Sequence, residues 1–314
     1  MERCLFCYEV LNEGEVDYHI KCAKKMFGKS HAPQIPYSRS NISELARDLV
    51  LRHTTVTGVQ PKLSMHLSRG EKDEPDRMTL MGVDGNYILK PQAKEYVCLP
   101  ENEDLTMHLA AAAGIHVVPH SLARMQDGEL CYLTRRIDRS SVGEKIPMED
   151  ACQLTERLTE NKYHSSYEQV AKAIGLFTTV GKLDIVNFWE LVMFSWLTGN
   201  SDMHLKNFSL YEPMDGQWQL APAYDLLSVQ LAMPSDKEEL ALTLNGKKSR
   251  IVTRDFAIAM SKSGIEEVVL KRMIGKFISI FPVWKVLIEK SFLPRELQTE
   301  YLSIIQNRLS RLSY

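Results

Sequence analysis

Residues 199–207 read GNSDMHLKN and follow closely on the apolar run FWELVMFSWL of residues 188–197. The apolar run predicts a buried helix. After it come an aspartate, a histidine, a lysine and two asparagines, which is more polar chemistry than a solvated loop requires. Residues 208–222, FSLYEPMDGQWQLAP, then predict two short strands around an Asp-Gly turn. The polar stretch therefore lies between a buried helix and a hairpin.

A hairpin brings its two ends together, so polar residues on either side of it should converge. Asp202 and Asn207 precede the predicted hairpin and Asp225, in AYDLLS, follows it. Asn207 and Asp225 offer oxygen atoms for a hard cation such as magnesium, and Asp202 would accept a proton or orient a nucleophile. This order of residues is used for phosphoryl transfer in protein kinases. A helix cap and two turn residues would explain each group separately, but not their joint spacing.

Strand and helix patterns divide the rest of the chain into a β-rich and a mostly helical region. The predicted strands are residues 63–67, 77–82, 87–91 and 130–137, and one helix, 101–114, interrupts them. The later helices are predicted at residues 166–177, 183–197, 254–264, 265–281 and 296–312. We therefore predict an α+β, bilobal, protein-kinase-like fold. It has a small cysteine-rich segment (1–28), a β-rich N-lobe (40–140) and a mostly helical C-lobe (148–314).

A kinase also needs a cation for the nucleotide phosphates, and Lys90 at the end of the predicted strand YILKP is the candidate. The helix of the same lobe offers Glu101 and Glu103 to hold it, and we favour Glu103. An acidic first helical turn that complements the helix dipole is the alternative explanation. The stretch TTVTGVQPKLS, residues 54–64, has one glycine before a strand, where a phosphate-covering loop belongs, although it lacks a GxGxxG pattern.

Five motifs in order, TVTGVQPKL, YILKP, LTRRIDR, GNSDMHLKNFSL and LAPAYDLLS, resemble the HipA family of bacterial toxin kinases, and most closely its short HipT-type members. The resemblance implies a serine/threonine protein kinase that uses ATP and magnesium. Asp202 matches the catalytic base, His204 a histidine near the phosphates, and Asn207 and Asp225 the metal ligands. The nucleotide-binding positions that it implies are Thr57, Gly58, Val59, Gln60, Lys62, Lys90, Glu103, Arg135, Ile137, His204, Asn207 and Asp225.

The same resemblance implies substrates, regulation and partners. Family substrates are aminoacyl-tRNA synthetases, whose phosphorylation stops translation. Family members also phosphorylate serines of their own phosphate-covering loop, and Thr55 and Thr57 occupy those positions here. A DNA-binding antitoxin and, for the HipT type, a small separate protein that supplies an N-terminal subdomain are the expected partners. Full-length HipA members have an additional N-terminal subdomain where this chain has the cysteine-rich segment. We therefore do not expect the antitoxin to dock here through such a subdomain.

The cysteine-rich segment CLFCYEVLNEGEVDYHIKC contains Cys4, Cys7, His19 and Cys22. Two close pairs of soft ligands on either side of a loop suit tetrahedral zinc, which would be structural in so small a segment. Buried cysteines beside a solvent-facing histidine are the alternative. Acidic residues balance the lysines of this segment, so we expect it to be structural or a protein-docking module rather than to bind nucleic acid.

Composition narrows the functional classes. The net charge of −2 and the mixed charges provide no general field for nucleic acid. No apolar stretch is long enough for a membrane span, and the N-terminus lacks the order of a signal peptide, so we expect a cytoplasmic protein. Two alternatives to a protein kinase stay open. These are a small-molecule phosphotransferase of the same fold and a catalytically inactive, nucleotide-binding scaffold.

Overall fold

The computed structural model describes residues 2–42, 62–70, 74–81, 85–140 and 143–312. The chain divides into two compact units. The first comprises Met1–Asp104, Val118–Lys145 and Lys290–Phe292, and the second comprises Leu105–Val117, Ile146–Glu289 and Leu293–Tyr314. Within these described ranges, no helix combines the length and the apolar character needed to cross a membrane.

The first unit is built on a five-stranded antiparallel sheet. Its strands are β1 (Leu63–Ser68), β2 (Arg77–Leu80), β3 (Tyr87–Pro91), β4 (His120–Arg124) and β5 (Leu130–Arg135). They are arranged in the order β2-β1-β3-β5-β4. β3 is therefore the central strand, and Lys90 pairs in register with Tyr132 of β5. A lysine at this position is buried rather than exposed to solvent.

The cysteine-rich segment belongs to the same unit and contributes to its core. Its helix, Ile20–Phe27, buries Cys22, Ala23, Met26 and Phe27. These side chains join one apolar cluster with strand residues such as Leu89 and Leu122. Because the sheet offers an apolar face at this point, the segment packs on it rather than forming a separate core.

The second unit is mostly helical. Its longer helices are Tyr167–Phe177, Gly181–Leu197, Thr253–Lys262, Glu267–Lys290 and Arg295–Leu309, with shorter turns at Ala151–Leu154, Thr159–Asn161, Leu205–Asn207 and Val229–Ala232. Gly181–Leu197 is the apolar helix predicted from the sequence, and its second half is buried almost throughout. Gly199 ends it with a φ of 72°. A Cβ atom there would lie 3.0 Å from Gln230 Cβ, so both the backbone angle and the close packing require glycine.

A small antiparallel sheet is embedded among these helices. Its strands are β6 (Met148–Asp150), β7 (Ser209–Tyr211) and β8 (Gln219–Leu220), in the order β6-β7-β8. β7 and β8 form the hairpin that the Asp-Gly turn predicted. The α+β class predicted from the sequence is confirmed.

Besides several short helical turns, sequence patterns missed the helix Ile20–Phe27 and the strands β4 and β6. β4 reads HSLAR and has no clear alternation, yet it is held along its length by pairing with β5. β6 has only three residues and forms by pairing with β7. In both strands the partner, rather than local propensity, determines the structure.

One predicted helix was too short. The helix predicted at 265–281 runs over Glu267–Lys290 and includes Pro282. Beyond this proline, Trp284 is fully buried and its Nε1 donates a hydrogen bond of 2.9 Å to the Leu109 carbonyl. The indole also packs edge-on against Phe194. These contacts offset the hydrogen bond that the proline removes, so the helix continues.

A partly buried carboxylate ties the end of the chain to the apolar helix. Glu239 accepts hydrogen bonds from Arg311 (2.8 and 3.1 Å), Trp196 Nε1 (3.0 Å) and the Ile251 amide (3.0 Å). Arg308 lies 3.7 Å away. Burial alone would raise the pKa of Glu239, but the Arg311, Trp196 and Ile251 hydrogen bonds and the nearby Arg308 charge lower it to about 2. This carboxylate therefore stays ionised within the helical unit.

Candidate active site

The polar residues on either side of the hairpin are brought together by a tyrosine. Tyr224 donates a hydrogen bond of 3.0 Å to the Lys206 carbonyl, and its hydroxyl lies 2.6 Å from that of Ser209. The residue after it is Asp225, which has a φ of 61°. A non-glycine residue in the left-handed region is strained, and such strain occurs often at functional sites. Asp225 is thereby held beside the segment that carries Asn207.

Asp202 and Asn207 are joined directly. The side-chain amide of Asn207 donates a hydrogen bond of 2.9 Å to the Asp202 carbonyl. This contact uses Nδ2, so the amide oxygen Oδ1 is directed elsewhere as an acceptor or metal ligand. Asn207 is buried, whereas half of the Asp202 side chain is exposed. A buried, oriented amide next to an accessible carboxylate is suited to binding a cation and a substrate hydroxyl, respectively.

His204 lies between these groups. Its Nε2 is 4.0 Å from Asp202 Oδ1, and its side chain is 7% exposed. Burial lowers the pKa of His204, while the charges of Asp202 and Asp225 act in the opposite direction. The net shift is downward, so the imidazole is neutral at pH 7 and can donate a hydrogen bond without adding a positive charge.

Tyr163 also belongs to this site, although no sequence pattern indicated it. Its hydroxyl donates a hydrogen bond of 2.6 Å to Asp202 Oδ1, and its ring packs edge-on against His204 with centroids 5.0 Å apart. Burial and the hydrogen bond to Asp202 raise the pKa of Tyr163, so the phenol remains a donor. Tyr163 therefore fixes one carboxylate oxygen of Asp202. Tyr163 lies in ENKYHS, far from the other motifs in the sequence, and no sequence pattern there predicts this role.

Two polar residues of the stretch 199–207 form contacts away from the site. Lys206 Nζ lies 2.6 Å from Asp150 Oδ2, and Ser201 donates a hydrogen bond of 2.6 Å to Asp236. Asp150 also caps the helical turn Ala151–Leu154. These two residues stabilise the surrounding loops, which leaves Asp202, His204 and Asn207 as the functional candidates of the stretch.

Lys90 lies in the first unit and forms a buried ion pair there. Its Nζ is 2.5 Å from Glu103 Oε1, and the two side chains are 5% and 2% exposed. The ammonium group also lies 5.5 Å from the centre of the Tyr132 ring. Glu103 is carried by the helix Leu99–Ala112, close to the predicted 101–114. The structure thus pairs Lys90 with Glu103 and not with Glu101.

The other nucleotide-binding candidates are placed as follows. Lys62 directly precedes β1 and is exposed. Arg135 ends β5 and pairs with Tyr87, and Ile137 follows this strand, half-buried. The loop candidates Thr55, Thr57, Gly58, Val59 and Gln60 lie outside the described residues.

The four candidate zinc ligands come together. One ligand atom from each of Cys4, Cys7, His19 and Cys22 lies within 4.8 Å of every other. All four residues belong to the first unit. The segment therefore has the donor set and the geometry to hold a metal ion.

Comparison with known proteins identifies the family. The model of the HipA-like C-terminal domain matches residues 54–284, which is more than half of the chain. The chain belongs to the HipA-like C-terminal domain family. It is 27% identical over 312 residues to a Haemophilus influenzae protein named as a candidate kinase, covering 91% of this chain and 89% of that one.

A second relative is similar in sequence, and two solved structures are similar in fold. The serine/threonine-protein kinase toxin HipA of Shewanella oneidensis is 29% identical over 215 residues, covering 59% of this chain and 47% of the toxin. The fold is similar to that of the Shewanella HipA in complex with HipB and operator DNA (TM-score 0.68, 21% identity, 82% of this chain and 65% of that one). It is also similar to the Helicobacter pylori proinflammatory kinase CtkA (TM-score 0.52, 16% identity, 80% and 93%). The chain thus spans about half the length of the Shewanella toxin sequence.

Proposed function

We propose that this protein is an ATP- and magnesium-dependent serine/threonine protein kinase of a toxin–antitoxin system. The observation that carries this proposal is the joined set Asp202, Asn207 and Asp225. A hydrogen bond links the Asn207 side chain to the Asp202 carbonyl. The Tyr224 hydroxyl, next to Asp225 in the chain, donates a hydrogen bond to the Lys206 carbonyl, next to Asn207. Membership of the HipA-like family and the kinase names of its relatives support the same chemistry.

The side chains present fit magnesium. Asn207 directs its amide oxygen away from the Asp202 carbonyl, and Asp225 offers a carboxylate from a strained backbone position. Magnesium prefers such oxygen ligands and is usually completed by substrate phosphates and water. When bound, the ion would neutralise charge on the phosphates during transfer.

Asp202 would act on the substrate hydroxyl. Tyr163 occupies Oδ1 of its carboxylate, and half of the Asp202 side chain is exposed. The remaining oxygen, Oδ2, would accept the hydrogen bond of a serine or threonine hydroxyl and orient it toward the γ-phosphate. The neutral His204 imidazole, buried beside Asp202, would donate a hydrogen bond to a phosphate oxygen.

Lys90 would contribute the phosphate-contacting cation. Its Nζ is held by the Glu103 carboxylate inside the sheet-containing unit, which fixes its position. A fixed ammonium group is suited to a polyphosphate, because the cation need not reorganise when charge develops. Lys62, Arg135, Ile137 and the loop candidates around Gly58 are proposed to contact the rest of the nucleotide.

The proposals for substrates and partners rest on analogy with the family. We propose a translation protein such as an aminoacyl-tRNA synthetase as the substrate, and Thr55 and Thr57 as sites of autophosphorylation. The Shewanella HipA occurs in a complex with HipB and operator DNA. By analogy, a DNA-binding antitoxin would restrain this kinase, with a small separate N-subdomain protein as a further partner.

The test is transfer of label from γ-labelled ATP. Purified protein would be incubated with magnesium and a bacterial lysate divided by gel filtration into a protein fraction and a small-molecule fraction. We expect label in proteins with wild type and with Asp215→Asn, a matched control because Asp215 is an exposed aspartate in the same hairpin. With Asp202→Asn, labelling should fall at least about a hundredfold. Label only in the small-molecule fraction would favour a small-molecule phosphotransferase. No label in either fraction, with ATP still bound, would favour an inactive scaffold.

A further inference from the structure

The cysteine-rich segment forms a compact set of four soft ligands. Cys7 Sγ lies 3.3 Å and Cys22 Sγ lies 3.7 Å from His19 Nδ1. Tetrahedral zinc, with bonds of about 2.3 Å to sulfur and 2.0–2.1 Å to nitrogen, separates such atoms by about 3.6 Å. The thiols and the imidazole are therefore already spaced as ligands of one small ion.

The hydrogen bonds around the cluster orient its ligands. His19 Nε2 lies 3.0 Å from the Val10 carbonyl, which can only accept, so Nε2 carries the proton and Nδ1 has a free lone pair. This is the usual arrangement for a metal-bound histidine. The His19 amide also donates a hydrogen bond of 3.4 Å to Cys4 Sγ, which orients this sulfur as well. All three cysteines are free thiols.

The turn that the ligands close also holds Tyr8. Its amide donates a hydrogen bond of 2.9 Å to the Cys4 carbonyl, and its φ of 63° lies in the left-handed region. A bulky residue adopts this backbone only when its surroundings impose it. The side chain is 1% exposed, so the turn directs Tyr8 into the interior of the first unit.

Tyr8 reaches the helix that carries Glu103. Its hydroxyl donates a hydrogen bond of 2.7 Å to Asp104 Oδ2, while Asp104 Oδ1 lies 2.7 Å from His120 Nδ1. Asp104 is fully buried and directly follows Glu103, the partner of Lys90. A chain of contacts within one unit thus runs from the cysteine turn to the Lys90 ion pair.

A second set of contacts fixes the segment on the sheet. The Leu5 carbonyl accepts hydrogen bonds from the Leu122 amide (3.3 Å) and the Ser121 hydroxyl (3.1 Å). Asp17 forms an ion pair of 2.9 Å with Arg124. On the sheet side all the partners belong to β4, and on the segment side Leu5 lies within the first ligand pair and Asp17 in the loop between the two pairs. A metal that links the pairs would therefore stabilise the attachment to β4 as well as the turn.

We propose that Cys4, Cys7, His19 and Cys22 bind one structural zinc ion, and that the turn it closes positions the helix Leu99–Ala112 through Tyr8. Tyr8 is thus a positioning residue. The consequence for nucleotide binding rests on the proposed kinase function, whereas the zinc site does not.

The first test is the metal content of the full-length protein. Elemental analysis should find about one zinc per wild-type chain, and Cys7→Ser or Cys22→Ser should reduce this to a small fraction. Cys98→Ser is the matched control and should retain the zinc, since Cys98 lies outside the cluster. Because the ligand variants could fail to fold, wild-type protein is also treated with a chelator and melted. Removing the metal should lower the melting temperature by at least about 5 °C. Zinc-free wild type with an unchanged melting curve overturns the site.

The second test is amide hydrogen exchange in Tyr8→Phe, which keeps the ring packed 5.4 Å from Phe292 but removes the hydroxyl. We expect exchange over residues 99–104 to become about tenfold faster, with zinc retained and the Tyr167–Phe177 helix unchanged. Unchanged exchange over 99–104 overturns the role of Tyr8. The Kd for MgATP should also rise several-fold. If wild type binds no MgATP, the kinase proposal is contradicted. The zinc content and the amide hydrogen exchange still test the zinc site and the role of Tyr8 in that case.

Discussion

Replacing Glu103 with glutamine removes the carboxylate that holds Lys90 but keeps the size of the side chain. At 2.5 Å the two charges attract by about 7 kcal/mol with an effective dielectric constant near 20. Much of this attraction is offset by the cost of removing both charges from water. Breaking one partner of a buried pair nevertheless costs about 3–5 kcal/mol, because the other charge stays buried. We therefore expect Glu103→Gln to destabilise the sheet-containing unit by that amount.

The assay must report on this unit alone. All four tryptophans, Trp189, Trp196, Trp218 and Trp284, lie in the helical unit, so tryptophan fluorescence is unsuitable. Amide hydrogen exchange of β3 and β5 measures opening of the sheet directly. A loss of about 3 kcal/mol corresponds to more than a hundredfold faster exchange.

Two comparisons make this prediction refutable. Lys90→Met should cost about as much as Glu103→Gln, and the double variant should cost at least about 2 kcal/mol less than the sum of the two. Glu101→Gln, on the same helix, should change stability by less than about 1 kcal/mol, because burial already raises the pKa of Glu101 and favours its neutral form. Small and additive effects of Lys90→Met and Glu103→Gln would refute the buried pair.

Three further predictions concern other residues. The pKa of Glu239, lowered from 4.5 to about 2, contributes about 3 kcal/mol of stability above pH 4.5 that is lost as the pH falls through 2. In urea unfolding, the free energy of unfolding of Glu239→Gln should therefore be lower than that of wild type by this amount at pH 7, and the difference should shrink below pH 4.5. A difference that does not change with pH would contradict the prediction. Tyr163→Phe frees Asp202 and should slow phosphoryl transfer about threefold to tenfold with the Kd for MgATP unchanged, whereas faster transfer would show that Tyr163 blocks the substrate. Intact mass and peptide mapping after incubation with MgATP should find phosphate on Thr55 or Thr57, and the proposal fails if both stay unmodified.

The parts of the site that were predictable from sequence are those encoded by short motifs. The stretch around Asp202 and Asn207 and the hairpin after it were predictable from neighbouring residues. The apolar helix before the stretch and the Asp-Gly turn after it are both visible in the sequence. The spacing of the cysteines and His19 likewise predicted a cluster that the structure brings together. The pairing of Lys90 with Glu103 was predictable because the strand and helix patterns placed both residues in one lobe.

The parts that were not predictable depend on distant partners. Tyr163 reaches Asp202 from 39 positions away, and Tyr8 reaches Asp104 across 96. Neither contact leaves a periodic or compositional trace in the sequence. β4 was missed for the same reason, since its structure comes from β5. The continuation of a helix through Pro282 depends on burial of Trp284, which no local pattern shows.

We propose that Asp202 acts in the transfer step while Asn207 and Asp225 hold the metal–nucleotide complex. The decisive measurement is therefore the Kd for MgATP and the single-turnover rate of label transfer to protein, determined side by side for wild type and Asp202→Asn. For Asp202→Asn we expect a Kd within about twofold of wild type and a transfer rate at least about a hundredfold lower. Transfer at the wild-type rate by Asp202→Asn, or no binding of MgATP by wild type, would contradict it.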